Sequence, residues 1–245
     1  MLVTGGAKRI GAAIARAFGE AGWHVVIHYG RSRDQAEALA ACLPSAEVVS
    51  CELDDWAAGP AMIENLAERL GDWRVLINCA GVFDLDTAQD LDPATFQAAM
   101  RVNAGTPARL GQAFLSHARA SGGRRLIHVT DQKLLNPNPD FFSYTMSKHA
   151  LAATIPMLSM ARGDARDRVY GIAPGAILAS HDQSEAEADV SHRMNLLGRR
   201  ATPEDVAGAA LFLAGGWLAS GETVYVDSGQ HLLAQPRDVL FLARQ

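Results

Sequence analysis

Residues 1–11 read MLVTGGAKRIG and lead into IGAAIARAFGEAG at residues 10–22. Three apolar residues, a glycine-rich run with two cations and an apolar-periodic stretch make a short strand, a tight turn and a helix. In that arrangement the backbone N–H groups at a helix start meet a pyrophosphate. Gly5 and Gly6 suit the turn, and Gly11 suits close packing of helix on strand. An ordinary strand-to-helix turn is the alternative, because the run does not match G-x-G-x-x-G. Arg9 stands where such loops usually carry another glycine. Only Met1, Leu2 and Val3 precede Thr4 and the glycines, so an incomplete start is one reading of the short first strand.

The same alternation continues outward. Apolar runs occur at LV (2–3), HVVIH (24–28), EVVS (47–50), VLIN (75–78), RLIHVT (125–130), RVYGIA (168–173) and TVYVD (223–227), with helix-period segments between them. The runs are continuous rather than alternating, which fits strands buried on both faces. We expect an α/β fold: a doubly wound, Rossmann-like, seven-stranded parallel sheet with helices on both faces, in a single domain over residues 1–245. Gly22 should end the first helix, and Thr202 with Pro203 should start the one over PEDVAGAALFLAG.

Composition narrows the function. The net charge of −5 over 245 residues argues against a nucleic-acid surface, and a small molecule is the better partner. No apolar stretch has the length of a membrane span and no signal peptide leads the chain, which points to a soluble, cytoplasmic protein. Cys42, Cys51 and Cys79 lack CxxC spacing and are expected to be small buried hydrophobes. His24 and His28 flank a strand and form no metal motif, so no metal is expected.

After the second strand comes HYGRSR (28–33), with no acid until Asp34. A ribose 2′-hydroxyl would want a carboxylate there, whereas Arg31 and Ser32, beside His28 and Tyr29, suit a 2′-phosphate. Two arginines solvating a loop are the alternative. With the glycine loop, the pattern favours NADPH over NADH. Tyr144 and Lys148 lie four apart and share one helix face, where an ammonium beside a phenol would make it a better proton donor near neutral pH. A surface Tyr/Lys pair is the alternative.

On these motifs the chain resembles the short-chain dehydrogenase/reductase family over nearly its whole length. The parts fall in order: TGGAKRIG (4–11), Glu52-Leu53, NCAG (78–81), Asn103 in VNAG, Tyr144 with Lys148, and PGAI (174–177). The resemblance implies catalytic roles for Asp131, Tyr144, Lys148 and Asn103: Tyr144 as proton donor, Lys148 on the nicotinamide ribose, and Asn103 holding a water of the proton relay. It implies cofactor contacts from Thr4, Gly5, Lys8, Arg9 and Ile10, from His28, Tyr29, Arg31 and Ser32, and from Glu52 and Leu53 near the adenine. Asn78, Ala80, Gly81, Thr130, Tyr144, Lys148, Pro174, Gly175 and Ile177 complete the cofactor set.

The family's serine, thirteen residues before the tyrosine, is replaced by Asp131. A carboxylate suits a developing ketone oxyanion poorly but suits a ring nitrogen that must take a proton. Capping the loop DQKLLNPNPD is its alternative role. With TGxxKRxG, the HYGRS turn and Phe83, this substitution resembles the pteridine reductase branch. There Arg9 would reach both cofactor phosphate and pterin, Phe83 would stack on the pterin, and Asp131 would join Tyr144 in proton delivery. Arg9 as a phosphate ligand only, and Phe83 as core packing, are the alternatives. Gly81 departs from the serine common in that branch.

The expected function is therefore NADPH-dependent reduction of a pterin-like small molecule at a ring C=N. A ketone or 3-oxoacyl reductase of the same fold is the first rival, and a nucleotide-sensing protein without chemistry the second. Residues 178–200 are expected to form a mobile, helix-prone lid. The tail holds Val239, Leu240, Phe241 and Leu242, which should be covered. The resemblance implies a homotetramer with that tail on another subunit, Arg237 or Arg244 near the partner's substrate mouth; folding back on its own subunit is the alternative.

Overall fold

The computed structural model describes residues 1–179 and 183–244. Strands β1 (Leu2–Val3), β2 (Val25–Tyr29), β3 (Ala46–Ser50), β4 (Val75–Asn78), β5 (Arg125–Val129), β6 (Arg168–Pro174) and β7 (Thr223–Val226) form one sheet in the order β3-β2-β1-β4-β5-β6-β7. Every pairing is parallel. The helices are α1 (Arg9–Glu20), α2 (Arg33–Ala41), α3 (Ala58–Arg69), α4 (Pro93–Ala99), α5 (Thr106–His117), α6 (Phe142–Ala161), α7 (Glu185–Ser191), α8 (Pro203–Ala214) and α9 (Val239–Leu242).

The register explains the continuous apolar runs. Leu2 pairs with Val26 and Leu76, and Val3 with Ile27 and Ile77. Successive residues point to opposite faces, so each strand feeds two cores. Leu2, Val26 and Leu76 pack with Ile63 and Leu66 of α3 and Leu110 and Phe114 of α5. Val3, Ile27 and Ile77 pack with Ile14 and Phe18 of α1 and Val206 and Leu213 of α8. Burying each such side chain contributes about 1.5–3 kcal/mol. The strand order reverses between β1 and β4, and that crevice is where ligands bind in doubly wound sheets.

The punctuation falls where the sequence puts it. Gly22 has φ +83° just beyond α1, and the Thr202 hydroxyl accepts from the Asp205 amide with Pro203 in the first turn of α8. Expected strands differ from observed ones by about one residue at their ends, where ladders fray. One expectation fails: Cys42 is exposed, because it follows the last turn of α2 on the solvent side, whereas Cys51 is buried. Among the described residues no helix is long and apolar enough to cross a membrane, and no cluster of three His, Cys, Asp or Glu could hold a metal.

Candidate active site

The expected site residues lie at or just beyond the carboxyl ends of the strands and on α6, with Asn103 between α4 and α5. Thr4, Gly5, Lys8, Arg9 and Ile10 follow β1 or open α1. No side chain caps α1, where Lys8 holds the N-cap position in extended conformation. The free N–H groups of that first turn suit an anion. A Cβ at Gly11 would meet the Gly5 carbonyl oxygen at 2.3 Å, so glycine alone lets helix and loop approach this closely.

Arg9 has φ 54°, the left-handed region that favours glycine. Its backbone therefore follows the glycine path at a cost of about 1–3 kcal/mol. The side chain is the gain: Nη1 donates to the Ala179 carbonyl at 3.1 Å and Nη2 to Leu178 at 3.4 Å. The guanidinium thus bridges the cofactor loop and the segment after β6, on the wall of a cavity it shares with Asp131 and Tyr144.

Several expected contacts are buried braces. The His28 ring is 2% exposed; Nδ1 accepts from the Gly5 amide at 3.1 Å and Nε2 donates to the Cys51 carbonyl at 2.9 Å. Burial lowers its pKa, so the neutral ring ties the loop to the end of β3. Thr4 Oγ1 accepts from the amides of Cys79 and Ala80 at 3.0 and 3.1 Å. Asn78 Nδ2 donates to Pro107 at 3.1 Å, and Thr130 Oγ1 to Ile172 at 2.9 Å.

After β2, Tyr29 and Ser32 are partly exposed. Arg33 donates to Glu37 at 2.7 Å, whereas the Arg31 side chain has no partner among the described residues and stays available for a phosphate. Glu52 is exposed beside Gly30, and Leu53 is buried. Pro174 ends β6, and Gly175 and Ile177, just beyond it, line the cavity. At Gly81 a Cβ would come within 3.0 Å of Asn103 Oδ1, so serine would crowd this asparagine.

Asn103 lies in a π-helical turn, Met100–Gly105, that joins α4 to α5. Its Oδ1 accepts from the Val82 amide, and Nδ2 donates to the Val82 carbonyl and to Ser147 Oγ, at 2.8, 2.9 and 3.0 Å. Both amide hydrogens are taken by protein groups. This side chain braces the loop after β4 to α6.

Asp131 caps its turn and also touches Tyr144. Oδ1 accepts from the Lys133 amide at 2.8 Å, capping the turn Gln132–Leu134, while Tyr144 donates its hydroxyl to Oδ2 at 2.8 Å. Burial raises the Asp131 pKa. Burial and the neighbouring Asp131 charge push the Tyr144 phenol well above its usual range. The Lys148 ammonium donates to the Val129 carbonyl at 2.8 Å and lies 5.6 Å from the Tyr144 ring centroid. Burial also lowers the Lys148 pKa.

Phe83 lines the cavity, with one face stacked on Phe141 at 4.1 Å and 19°, and the Tyr144 ring edge-on at 4.6 Å. Phe241 continues the column, 6.2 Å from Phe141. Phe83 is thus packed between two aromatic neighbours and also lines the cavity. The cavity holds about 190 Å³.

Three contributors escaped the sequence reading. Asp86 accepts from the Ser143 amide at 2.8 Å and from its hydroxyl, fixing the start of α6. Ser147 sits three residues after Tyr144, a same-face spacing that could have flagged it. Gln230, distant in sequence, accepts from the Ala176 amide at 2.9 Å and lines the cavity.

The tail is corrected as well. It folds on its own subunit: Val239 and Leu240 are each 5% exposed, and both line the cavity. Arg237 donates to Asp140 on its own chain at 2.8 Å, and Arg244 to Glu187 at 2.9 Å. In the expected lid, residues 180–182 lie outside the described residues. Helix α7 follows them, closed by a Ser184/Glu187 capping box.

The family described as enoyl-(acyl carrier protein) reductase matches residues 5–231. A versicolorin reductase of Emericella nidulans is 28% identical, covering 93% of this chain and 94% of its own. The 7α-hydroxysteroid dehydrogenase of Escherichia coli is 28% identical, covering 93% and 92%. Among solved structures, FolM alternative dihydrofolate reductase 1 from Brucella suis, in complex with NADP, is 31% identical with a TM-score of 0.89, covering 96% of this chain and 95% of its own. The angucycline C-6 ketoreductase LanV with bound NADP is 30% identical with a TM-score of 0.84, covering 95% of each. With a family match over most of its length and the Tyr144–Lys148 helix in place, the chain belongs to the short-chain dehydrogenase/reductase family of oxidoreductases.

Proposed function

We propose that the protein is an NADPH-dependent reductase of a pteridine, of the dihydropterin or dihydrofolate class, acting at a ring C=N. The observation that carries the reading is the 2.8 Å hydrogen bond from Tyr144 to Asp131, at the position where the family's ketone reductases place serine. Similarity to FolM alternative dihydrofolate reductase 1 supports it, as do solved relatives that contain NADP.

Bound NADPH supplies hydride from C4 of its nicotinamide. The uncapped start of α1 and the unpartnered Arg31 fit its phosphates. Lys148 orients the nicotinamide ribose. Tyr144 holds a proton at Oη and delivers it to the ring nitrogen next to the reduced carbon. Asp131, whose burial favours the protonated form, returns a proton to Tyr144 through the same hydrogen bond. Phe83, on the cavity wall, would lie beside the flat heterocycle, and Arg9 would offer a planar donor fork.

Similarity to a hydroxysteroid dehydrogenase and to LanV favours a second reading, reduction of a ketone. NADPH oxidation with dihydrobiopterin, dihydromonapterin, dihydrofolate and an acetoacetyl thioester separates the two. Pterin turnover without thioester turnover is expected; the reverse contradicts the proposal. A homotetramer belongs to the same proposal: Met160 and Trp217 are 78% and 81% exposed, and a single-chain mass by light scattering contradicts it.

A further inference from the structure

The loop from Asp131 to Phe141 leads directly into α6 and Tyr144, so its ends carry both members of the proton-transfer pair. Its middle is fastened by the C-terminal segment through two ion pairs. Asp140, 2% exposed, accepts from Arg237 Nε and Nη2 at 2.8 Å each, and from the Asp238 amide at 2.8 Å. Lys133, 4% exposed, places Nζ 2.6 Å from Asp238 Oδ2 and 3.4 Å from the Asp140 carbonyl, with the Phe141 ring centroid at 5.1 Å. The other oxygen of Asp238 accepts from the Leu240 amide at 3.0 Å.

A buried lysine needs a partner, and here the partner comes from the far end of the chain. The same lysine gives its backbone N–H to Asp131 Oδ1 at 2.8 Å. Both Lys133 and Asp238 line the cavity together with Asp131 and Tyr144. We infer that Lys133 and Asp238 are positioning residues for the Tyr144–Asp131 pair: the C-terminal segment, through Asp238, holds the Lys133 ammonium in the cavity that Asp131 and Tyr144 share, and that ammonium biases the proton the pair shares. This deepens the reading of Asp131 as a proton carrier and rests on it.

The charges around Asp131 come from several elements. Lys133 stands on its own turn, Tyr144 and Lys148 on α6, Asp238 on the tail, Arg9 at the start of α1, and His192 just after α7. Lys133 opposes the effect of burial on Asp131, while Asp238 adds to the upward push on Tyr144. The two residues therefore act in opposite directions. Removing the cation with Lys133→Met should raise the proton affinity of Asp131; removing the anion with Asp238→Asn leaves the cation less neutralised and should lower it.

The test is carboxyl titration by ¹³C NMR on the full chain saturated with NADP⁺, with Asp131→Asn assigning the signal. No substrate is needed, so the result is independent of whether pterins are turned over. The expected midpoint moves up in Lys133→Met and down in Asp238→Asn, each by about one pH unit, a tenfold change in proton affinity. The double variant Lys133→Met/Asp238→Asn, which leaves no unpaired buried charge, should fall between them and serves if a single variant does not fold. Single-variant midpoints that move in the same direction or do not move overturn the inference, as does a double variant whose midpoint lies above that of Lys133→Met or below that of Asp238→Asn. A loss of packing alone would not produce shifts of opposite sign. The pH profile of dihydropterin turnover should shift with the NMR midpoints; opposite NMR shifts in a protein that reduces no pterin would instead reject the proposed substrate.

Discussion

At the ends of β1 and β2 the site presents mostly backbone: glycines, an uncapped helix start and one unpartnered arginine. Between the end of β5 and the start of α6 it presents side chains, Asp131, Lys133 and Tyr144, on a loop whose Lys133 pairs with Asp238 and whose Asp140 pairs with Arg237, about a hundred residues later. The first region is specified by local geometry, because a turn needs only the residues in it. The second depends on charge and packing between distant segments. Proton delivery and substrate choice can therefore change without disturbing the cofactor side.

The sharpest break between the regions is Tyr144→Phe. It removes the proton donor and should reduce turnover about 10³-fold, or about 4 kcal/mol, with the Kd for NADPH unchanged. Retention of more than about a tenth of the rate, a loss below 1.4 kcal/mol, rejects Tyr144 as donor.

Next in size is Leu240→Ala, in the tail. Leu240 is 5% exposed, and truncation should destabilise the fold by about 2–3 kcal/mol in chemical denaturation, again without effect on NADPH binding. No change in stability would mean that the tail is not docked in solution.

Arg31→Ala probes the other region. It should lower the ratio of kcat/KM for NADPH over NADH by about tenfold, as expected for the loss of one charge-assisted hydrogen bond. Equal efficiency with both cofactors in the unmutated protein removes the premise.

The smallest effect concerns stability and pH. Burial raises the Asp131 pKa above its unfolded value, so the folded chain binds this proton more tightly. Stability from this group is fully present below the unfolded pKa and is lost as pH rises through the folded one. Asp131→Asn carries no such penalty. Its stability relative to the unmutated chain should therefore grow from acid to neutral pH in parallel denaturation series; a constant difference contradicts the sign.

The fold was legible because each strand is a short apolar run with a turn residue beside it, and because Gly22 and Thr202 mark helix ends by their own chemistry. Tyr144, Lys148 and Asp131 were legible as a spacing. The bracing contacts of His28 and Asn103 were not, since a side chain that ties one loop to another leaves no mark in the local sequence. The pairing of Lys133 with Asp238 could not be read at all, because any loop cation could have met any acid. Nor could the tail's destination: an apolar cluster demands cover, and both its own subunit and a neighbour could provide it.

The central claim is that Asp131, rather than a serine, directs this site to a ring nitrogen. The most direct measurement compares kcat/KM for a dihydropterin and for an acetoacetyl thioester in the unmutated protein and in Asp131→Ser. Dihydropterin efficiency should fall about 100-fold while thioester reduction rises from the background, reversing the preference. Unchanged dihydropterin kinetics in Asp131→Ser would contradict the claim and leave Asp131 as the cap of its turn.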